Sequence, residues 1–205
     1  MEVAKYIGNV IEQTVPTRYL FGIANLLDNA KQKRRYERYR EKYDISPSFE
    51  FNGPEIKVYG KGRVHCGSNS YIGRHSNLKS AKGSEIYIGE NVAMSHFIFI
   101  FTKNRVADQN LAETKTEQTG DVYIGSDSWI GSFVYINQGC SIGNGAVVGA
   151  HSVVTRDVPP HSIAVGSPAK VIKFKSYLDE SEREKLIEEY WESLSTGLQN
   201  SINER

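Results

Sequence analysis

Residues 124–155 read IGSDSWIGSFVYINQGCSIGNGAVVGAHSVVT, and an aliphatic side chain returns at every sixth position: Ile124, Ile130, Ile136, Ile142, Val148 and Val154. Neither a helix nor an ordinary strand has that period. Four residues after each of these come Ser128, Val134, Cys140, Ala146, Ser152 and Val158, so a large apolar position and a mostly small one alternate in a fixed frame. Residues two apart in a strand share a face, so the aliphatic residue and the small residue two places before it turn to the same side, into a coil. Glycine follows the aliphatic position at Gly125, Gly131, Gly143 and Gly149. Gly, Asn and Asp are expected to form the corners, where positive φ is cheap for Gly and tolerable for Asn or Asp.

A short fixed period of this composition marks a solenoid in which each hexad supplies one strand and one corner, and three hexads close a triangular turn. The fold class expected is therefore an all-β solenoid, a parallel β-helix of hexapeptide repeats with helical N- and C-terminal segments. The same frame appears upstream at Ile72 and Leu78 and again at Ile88, Met94 and Ile100, with KSAKGSE (79–85) breaking the count between them. A second break, KNRVADQNLAETKTEQTGD (103–121), is long and polar, and a solenoid can extrude such a segment without disturbing its stack. Long loops of this kind are usually functional or disordered. The expected organisation is a helical segment over 1–50, the β-helix over 51–175 with the extruded loop 103–121, and a C-terminal helix over 176–205. Helical spacing supports the first (Ile7, Val10, Ile11; Ile23, Leu26, Leu27). In the last, Ser181 with Glu184 resembles a capping box ahead of an apolar face of Leu186, Ile187, Tyr190, Trp191 and Leu194.

The 205 residues carry a formal net charge of +1 with 24% charged side chains, so no global field draws the chain to nucleic acid or to an acidic membrane. No stretch approaches the length of a bilayer span, and a soluble cytoplasmic protein is expected. Of the two cysteines, Cys140 occupies an inward slot of the repeat, and both are expected to be core thiols rather than a disulfide or a nucleophile. The run KQKRRYERYREK (31–42) interleaves Arg34, Arg35, Arg38 and Arg40 with Tyr36 and Tyr39. It reads as a solvated helix in which Glu37 and Glu41 pair locally; contact with an anionic membrane surface is the alternative.

The hexads together with VVTRDVPPHSIAVGSPAKVIK (153–173) resemble the left-handed β-helix acyltransferases, in particular the maltose, galactoside and xenobiotic acetyltransferase branch, over roughly residues 55–175. The left hand comes from this resemblance and not from the spacing. It implies a homotrimer with acetyl-CoA in a groove between adjacent solenoids, no metal, and a saccharide acceptor, whether free, nucleotide-linked or lipid-linked, in surface-polysaccharide or O-antigen biosynthesis. By motif, Ser132 in WIGS, Ala150 in VGAHS, and Thr155 and Arg156 in VVTRD match positions lining the CoA site. Lys170 and Lys173 in PAKVIK match basic positions near the nucleotide phosphates. A pantetheine arm needs a narrow groove of small residues, and phosphates need Arg or Lys, so the residue types agree.

Acetylating a hydroxyl demands a general base. In this branch the base is a histidine just after the hexad that precedes the extruded loop, where counting in the repeat frame lands on Arg105. Arginine stays protonated and cannot be a base, although it can hold a carboxylate or phosphate of the acceptor. His75, in IGRHSN, matches a position that meets the acceptor in sugar-modifying relatives and is the candidate base; His96, in AMSHFI, and Trp129 are candidates on the acceptor side. His65, His151 and His161 read as structural. A neutral amine needs no protein base, so N-acetylation of a nucleotide-linked amino sugar is the alternative to O-acetylation, and a catalytically degenerate solenoid is a third reading. The histidine spacing gives little support to a zinc carbonic anhydrase, which needs three converging imidazoles.

Overall fold

The computed structural model describes residues 17–203, apart from the side chains of 17–20, 191 and 193–203. Two compact units are present, 1–41 and 42–205. Helix α1 (Thr17–Lys42) accounts for the described part of the first, and its apolar residues Phe21, Ile23, Leu26 and Leu27 are all exposed. Ile7, Val10 and Ile11 lie outside the described residues. Among the described residues no helix is long and apolar enough to cross a membrane.

The second unit is a parallel solenoid with three faces. Face A stacks β1 (Asp44–Ile45), β4 (Arg63–Cys66), β7 (Glu85–Ile88), β12 (Val122–Ile124) and β15 (Ser141–Ile142). Face B stacks β2 (Glu50–Asn52), β5 (Tyr71–Gly73), β8 (Ala93–Met94), β13 (Trp129–Ile130), β16 (Val147–Val148) and β18 (Ser162–Val165). Face C stacks β3 (Lys57–Gly60), β6 (Asn77–Ser80), β9 (Phe99–Phe101), β14 (Tyr135–Ile136) and β17 (Val153–Val154). Each coil takes one strand from each face, which gives five complete coils. Registers match the six-residue frame: Ile124 lies between Ile88 and Ile142, Ile130 between Met94 and Val148, and Ile136 between Ile100 and Val154.

Both positions of the frame face inward as expected. The aliphatic set and the small set, Ser128, Val134, Cys140, Ala146, Ser152 and Val158, are all buried. Cys66 and Cys140 are free and buried, and burial pushes the Cys140 thiol up to about 11. Buried hydroxyls bond to backbone carbonyls, as Ser70 Oγ to Gly89 O (2.8 Å) and Ser128 Oγ to Gly143 O (3.0 Å), so the interior leaves no cost for an unpaired polar group there. The first break in the count is absorbed between β6 and β7. Ser80 Oγ donates to Ser84 O (2.9 Å), and Ser84 Oγ lies 2.6 Å from Thr102 Oγ1, which also accepts from Ala81 N–H (2.8 Å). The second break is ordered as an antiparallel pair, β10 (Lys103–Arg105) with β11 (Glu117–Thr119), in register Lys103 to Thr119 and Arg105 to Glu117.

The glycines that follow the aliphatic position serve a purpose other than the one read from the sequence. Gly125, Gly131, Gly143 and Gly149 are absent from the positive-φ residues. A Cβ on Gly131 would come within 2.6 Å of Ala150 N, and one on Gly143 within 2.3 Å of Pro160 N. Close approach of successive coils, and not handed backbone, excludes a side chain here. Positive φ falls two residues further on. At the A-to-B corner Asn69, Asn91, Asp127 and Gly145 take it, as composition leads one to expect, and His161 takes it in the last coil; at the B-to-C corner it is taken by His75, Phe97, Phe133 and His151.

At the C-terminal end, β18 pairs antiparallel with β19 (Lys170–Phe174), which terminates face B. Helix α2 (Glu180–Asn203) begins two residues earlier than the Ser181–Glu184 reading. Asp179 is the cap: its Oδ1 accepts from Glu182 N–H (2.8 Å) and from Ser181 Oγ (2.7 Å), and Glu182 reaches back to Asp179 N–H (3.4 Å). The Glu182 amide hydrogen bond, with that of Ser181, holds the Asp179 carboxyl below its ordinary value. Ser181 is thus a partner of the capping carboxylate, and the box is Asp179–Glu182. Leu186, Ile187 and Tyr190 are half-buried as the apolar face requires; the side chains of Trp191 and Leu194 are outside the description.

Candidate active-site edge

Two solenoid corners, on either side of face C, carry nearly all of the sequence candidates. Along the B-to-C corner equivalent positions of successive coils are Arg74, His96, Ser132 and Ala150. The backbone stacks them: Phe97 N–H donates to Arg74 O (3.0 Å), Phe133 N–H to His96 O (3.0 Å) and His151 N–H to Ser132 O (2.9 Å). Ser132 and Ala150 therefore lie one above the other, His96 is one strand spacing further along, and His75 is in the coil beyond. With glycine at 131, 149 and 166, this part of the edge is lined by backbone and small side chains. Lys170 pairs with Val165 at its lower end, and Lys173 with Ile163 on face B.

Next to that column runs a stack of rings. His75 lies on Phe97 (centroids 5.0 Å, planes 9° apart), Phe97 on Phe133 (4.5 Å, 5°) and Phe133 on His151 (4.8 Å, 8°). Aromatic residues in the left-handed region are uncommon and cost of order 1–3 kcal/mol each, so ring stacking and the coil's own hydrogen bonds must hold them. His151, read as structural, and Phe133, read only as part of the repeat, belong to this edge. Their sequence signal is a ring at the third residue after each face-B aliphatic position. His96 turns away from the stack: its Nδ1 sits where a Cβ on Gly73 would be, 2.2 Å from the ideal position, so Gly73 provides the notch for the imidazole. Trp129 is 54% exposed on the outer side of β13 between Ala93 and Val147.

The C-to-A corner holds the remaining candidates. Thr155 and Arg156 are exposed there, one coil below Asn137 and Gln138. Arg105 is exposed on the β10–β11 hairpin that springs from the same corner. Its neighbour Asn104, which sequence reading passed over, is the residue turned toward the coils: Nδ2 is 3.0 Å from Tyr135 Oη, 2.6 Å from Asn137 Oδ1 and 2.9 Å from Gln138 Oε1. Alternation within a strand is the signal that separates 104 from 103 and 105. Lys103 forms an ion pair with Glu117 across the hairpin. That hydrogen bond first, then the charges of Lys103, Arg105 and Lys79, holds the Glu117 carboxyl below its ordinary value. In a single chain the structure thus groups Ser132, Ala150, Lys170, His96 and His75 on one edge, and Thr155, Arg156 and Arg105 on another.

The other two histidines are tied into the scaffold. His65 Nδ1 is 2.9 Å from Asp44 and Nε2 is 3.6 Å from Glu85 on face A. His161 Nδ1 is 2.8 Å from Tyr177 Oη. Among the described residues no group of three or more His, Cys, Asp or Glu side chains is arranged to hold a metal ion.

Comparison with known proteins places this geometry. Residues 121–156 match the family model described as bacterial transferase hexapeptide (six repeats). The acetyltransferase-family protein YJL218W of Saccharomyces cerevisiae is 38% identical over 171 residues, covering 83% of this chain and 86% of the relative. A maltose O-acetyltransferase from Clostridium difficile 630 has a similar structure, with TM-score 0.55, 30% identity and coverage of 77% of this chain and 84% of that one. The hexapeptide-repeat acetyltransferase VCA0836 of Vibrio cholerae, solved with acetyl coenzyme A, has TM-score 0.54 and 25% identity over 70% of this chain and 77% of its own. The match takes in about half, 54%, of the length of the first curated relatives. The repeat frame, the coil-by-coil register and these likenesses together show that the chain belongs to the hexapeptide-repeat acetyltransferase family of the left-handed β-helix fold.

Proposed function

We propose that this protein is a cytoplasmic, homotrimeric enzyme that moves an acetyl group from acetyl-CoA to a saccharide hydroxyl in surface-polysaccharide or O-antigen biosynthesis. One observation carries the reading: Ser132 and Ala150 stack in a column of small residues that ends beside Lys170. A Cβ at Gly131 or Gly149 would strike Ala150 N or Val165 Cγ1, at 2.6 and 2.7 Å, so the edge stays narrow and lined by backbone, as a pantetheine arm requires. The Vibrio cholerae relative binds acetyl-CoA on the same kind of solenoid. Thr155 and Arg156 sit on the other edge, so a donor groove that uses all these residues draws on two copies of the chain, which is the reason for the trimer.

In the reaction the acceptor oxygen attacks the thioester carbonyl, its proton passes to a base, and the carbon–sulfur bond breaks as the CoA thiolate leaves and is protonated in turn. His75 is the base in this reading. It stands two coils above Ser132, about 10 Å at ordinary strand spacing, which leaves room for a sugar between base and donor. His96, in the intervening coil, binds the acceptor, Trp129 offers a ring face to it, and Arg105 receives an anionic group of it. A second reading is favoured by the C-to-A corner, where Asn104 and Arg105 stand and none of the five histidines lies. An amino sugar would need only positioning and oxyanion stabilisation there.

Calorimetric titration of acetyl-CoA into the protein and into Lys170→Glu is the test. Micromolar binding that the variant loses establishes the donor site, and an acceptor screen of hydroxyls against amines follows. Absence of binding by the unaltered protein makes the chain a solenoid that has left catalysis.

A further inference from the structure

Helix α1 leaves exposed what a soluble helix ordinarily covers. Phe21, Ile23, Leu26 and Leu27 are 68, 54, 70 and 57% exposed, and large apolar side chains grouped in this way mark a place where something else docks. Steps of three and four residues carry one continuous stripe along the helix from Ile23 and Leu27 through Lys31 and Arg34 to Arg38, about 22 Å at the ordinary helical rise. Phe21 and Leu26 flank its apolar end on either side, and all three cations of its other end are exposed, with Glu41 at the border. The segment 31–42 holds seven Lys and Arg against two Glu, in a chain whose net charge is only +1. Lys31 pairs with Asp28 (3.4 Å). Lys33, Arg34 and Arg38 have no ion-pair partner among the described residues, so the local pairing expected of Glu37 and Glu41 does not reach them.

The order along the stripe, apolar and then cationic, selects the occupant. A second copy of the chain fits it poorly: in parallel packing Arg34 and Arg38 meet their own counterparts, and in antiparallel packing they meet Ile23 and Leu27. A nucleic acid supplies phosphates but gives the apolar end no cover. An anionic lipid surface supplies both, because acyl chains and phosphates adjoin at the boundary of one leaflet, and each Lys or Arg brought near it adds to the attraction. We infer that α1 is a membrane-docking helix, whose Ile23–Leu27 end enters the headgroup boundary of an anionic leaflet while Lys31, Arg34 and Arg38 lie among the lipid phosphates. The helix rests on the surface and is not apolar enough to cross it. Docking of this kind is independent of acetyl transfer, and where the acceptor is lipid-linked it brings the enzyme to the leaflet that carries the acceptor.

The experiment is flotation of the full-length protein with vesicles of phosphatidylcholine alone and of phosphatidylcholine with about one-third phosphatidylglycerol. It is repeated for Arg34→Glu/Arg38→Glu and for Ile23→Ser/Leu27→Ser, with circular dichroism to confirm that each variant keeps its helix and size-exclusion chromatography to follow its oligomeric state. The unaltered protein should float with the anionic vesicles and bind the neutral ones about tenfold more weakly or worse. Charge reversal should weaken binding to the anionic vesicles about thirtyfold or more and the serine variant about tenfold, with oligomeric state unchanged in both. No flotation with anionic vesicles, equal binding to both kinds, or undiminished binding by either variant would overturn the assignment. A smaller oligomer in the serine variant would make the stripe a contact between copies, and retention of an RNA oligonucleotide in place of the vesicles would make it a nucleic-acid surface; either result overturns the lipid assignment and leaves the donor reading untouched.

Discussion

The imidazole of His75 lies flat on the phenyl ring of Phe97, with centroids 5.0 Å apart and planes 9° from parallel, and both residues have positive φ. A ring held in this way has little rotational freedom, which suits a group that must meet an acceptor proton in one orientation. His75→Ala should therefore lower kcat about a hundredfold or more and leave acetyl-CoA affinity unchanged. His96→Ala should instead raise the acceptor KM with a smaller effect on kcat. Steady-state kinetics with a sugar acceptor separate the two, and unchanged kcat in His75→Ala removes it as the base.

Both thiols are buried, and burial pushes that of Cys140 up to about 11, so at pH 8 it stays almost wholly in the unreactive thiol form. A disulfide-exchange reagent should titrate no fast thiol in the native protein and two after unfolding in guanidinium. A rapid reaction of either cysteine in the native state would contradict the inward placement.

On face A, Glu85 accepts from Tyr123 Oη (2.9 Å) and pairs with Arg63 (2.9 Å), and its carboxyl is held below the ordinary value of 4.5, by the Tyr123 hydrogen bond first and then by the charges of Arg63 and His65. A depressed folded-state value contributes stability that is present above the ordinary value and is lost as pH falls through the depressed one. Melting temperature should fall as pH drops below about 4.5, and part of that slope should vanish in Glu85→Gln. Equal slopes for the two proteins from pH 6 to 3 would show that Glu85 contributes nothing to acid sensitivity.

Ile136 is fully buried on β14 between Ile100 and Val154. Ile136→Ala removes three carbons from a stack that cannot collapse without changing coil spacing, so it should cost about 3 kcal/mol. Urea unfolding should show a lower midpoint at an unchanged slope.

The period-six pattern made the coils legible because each inward residue is fixed by its own hexad, and Ile124 to Val154 fall where counting puts them. The corners were less legible. Glycine after the aliphatic residue has two physical causes, handed backbone or close approach, and the sequence alone does not distinguish them; Gly131 and Gly143 turned out to be cases of the second. The helix starts earlier because Asp179–Glu182 and Ser181–Glu184 have the same spacing, and the reciprocal hydrogen bonds between Asp179 and Glu182, with Ser181 Oγ donating to Asp179, decide between them. Asn104 was hidden because the pairing of β10 with β11, which sets its direction, depends on residues more than ten positions away.

A parallel coil whose strands all run one way presents the same unpaired amides and carbonyls at its last turn as at its first, and nothing in the repeat itself says where it should stop. The reversed strand β19 is a full stop of that kind. Occupying the open edge of β18 in the opposite direction, and carrying Lys170 and Lys173 outward, it offers an incoming chain no parallel register to copy. The strand that ends face B thus also guards that face, across a population of molecules, against growing end to end into fibres.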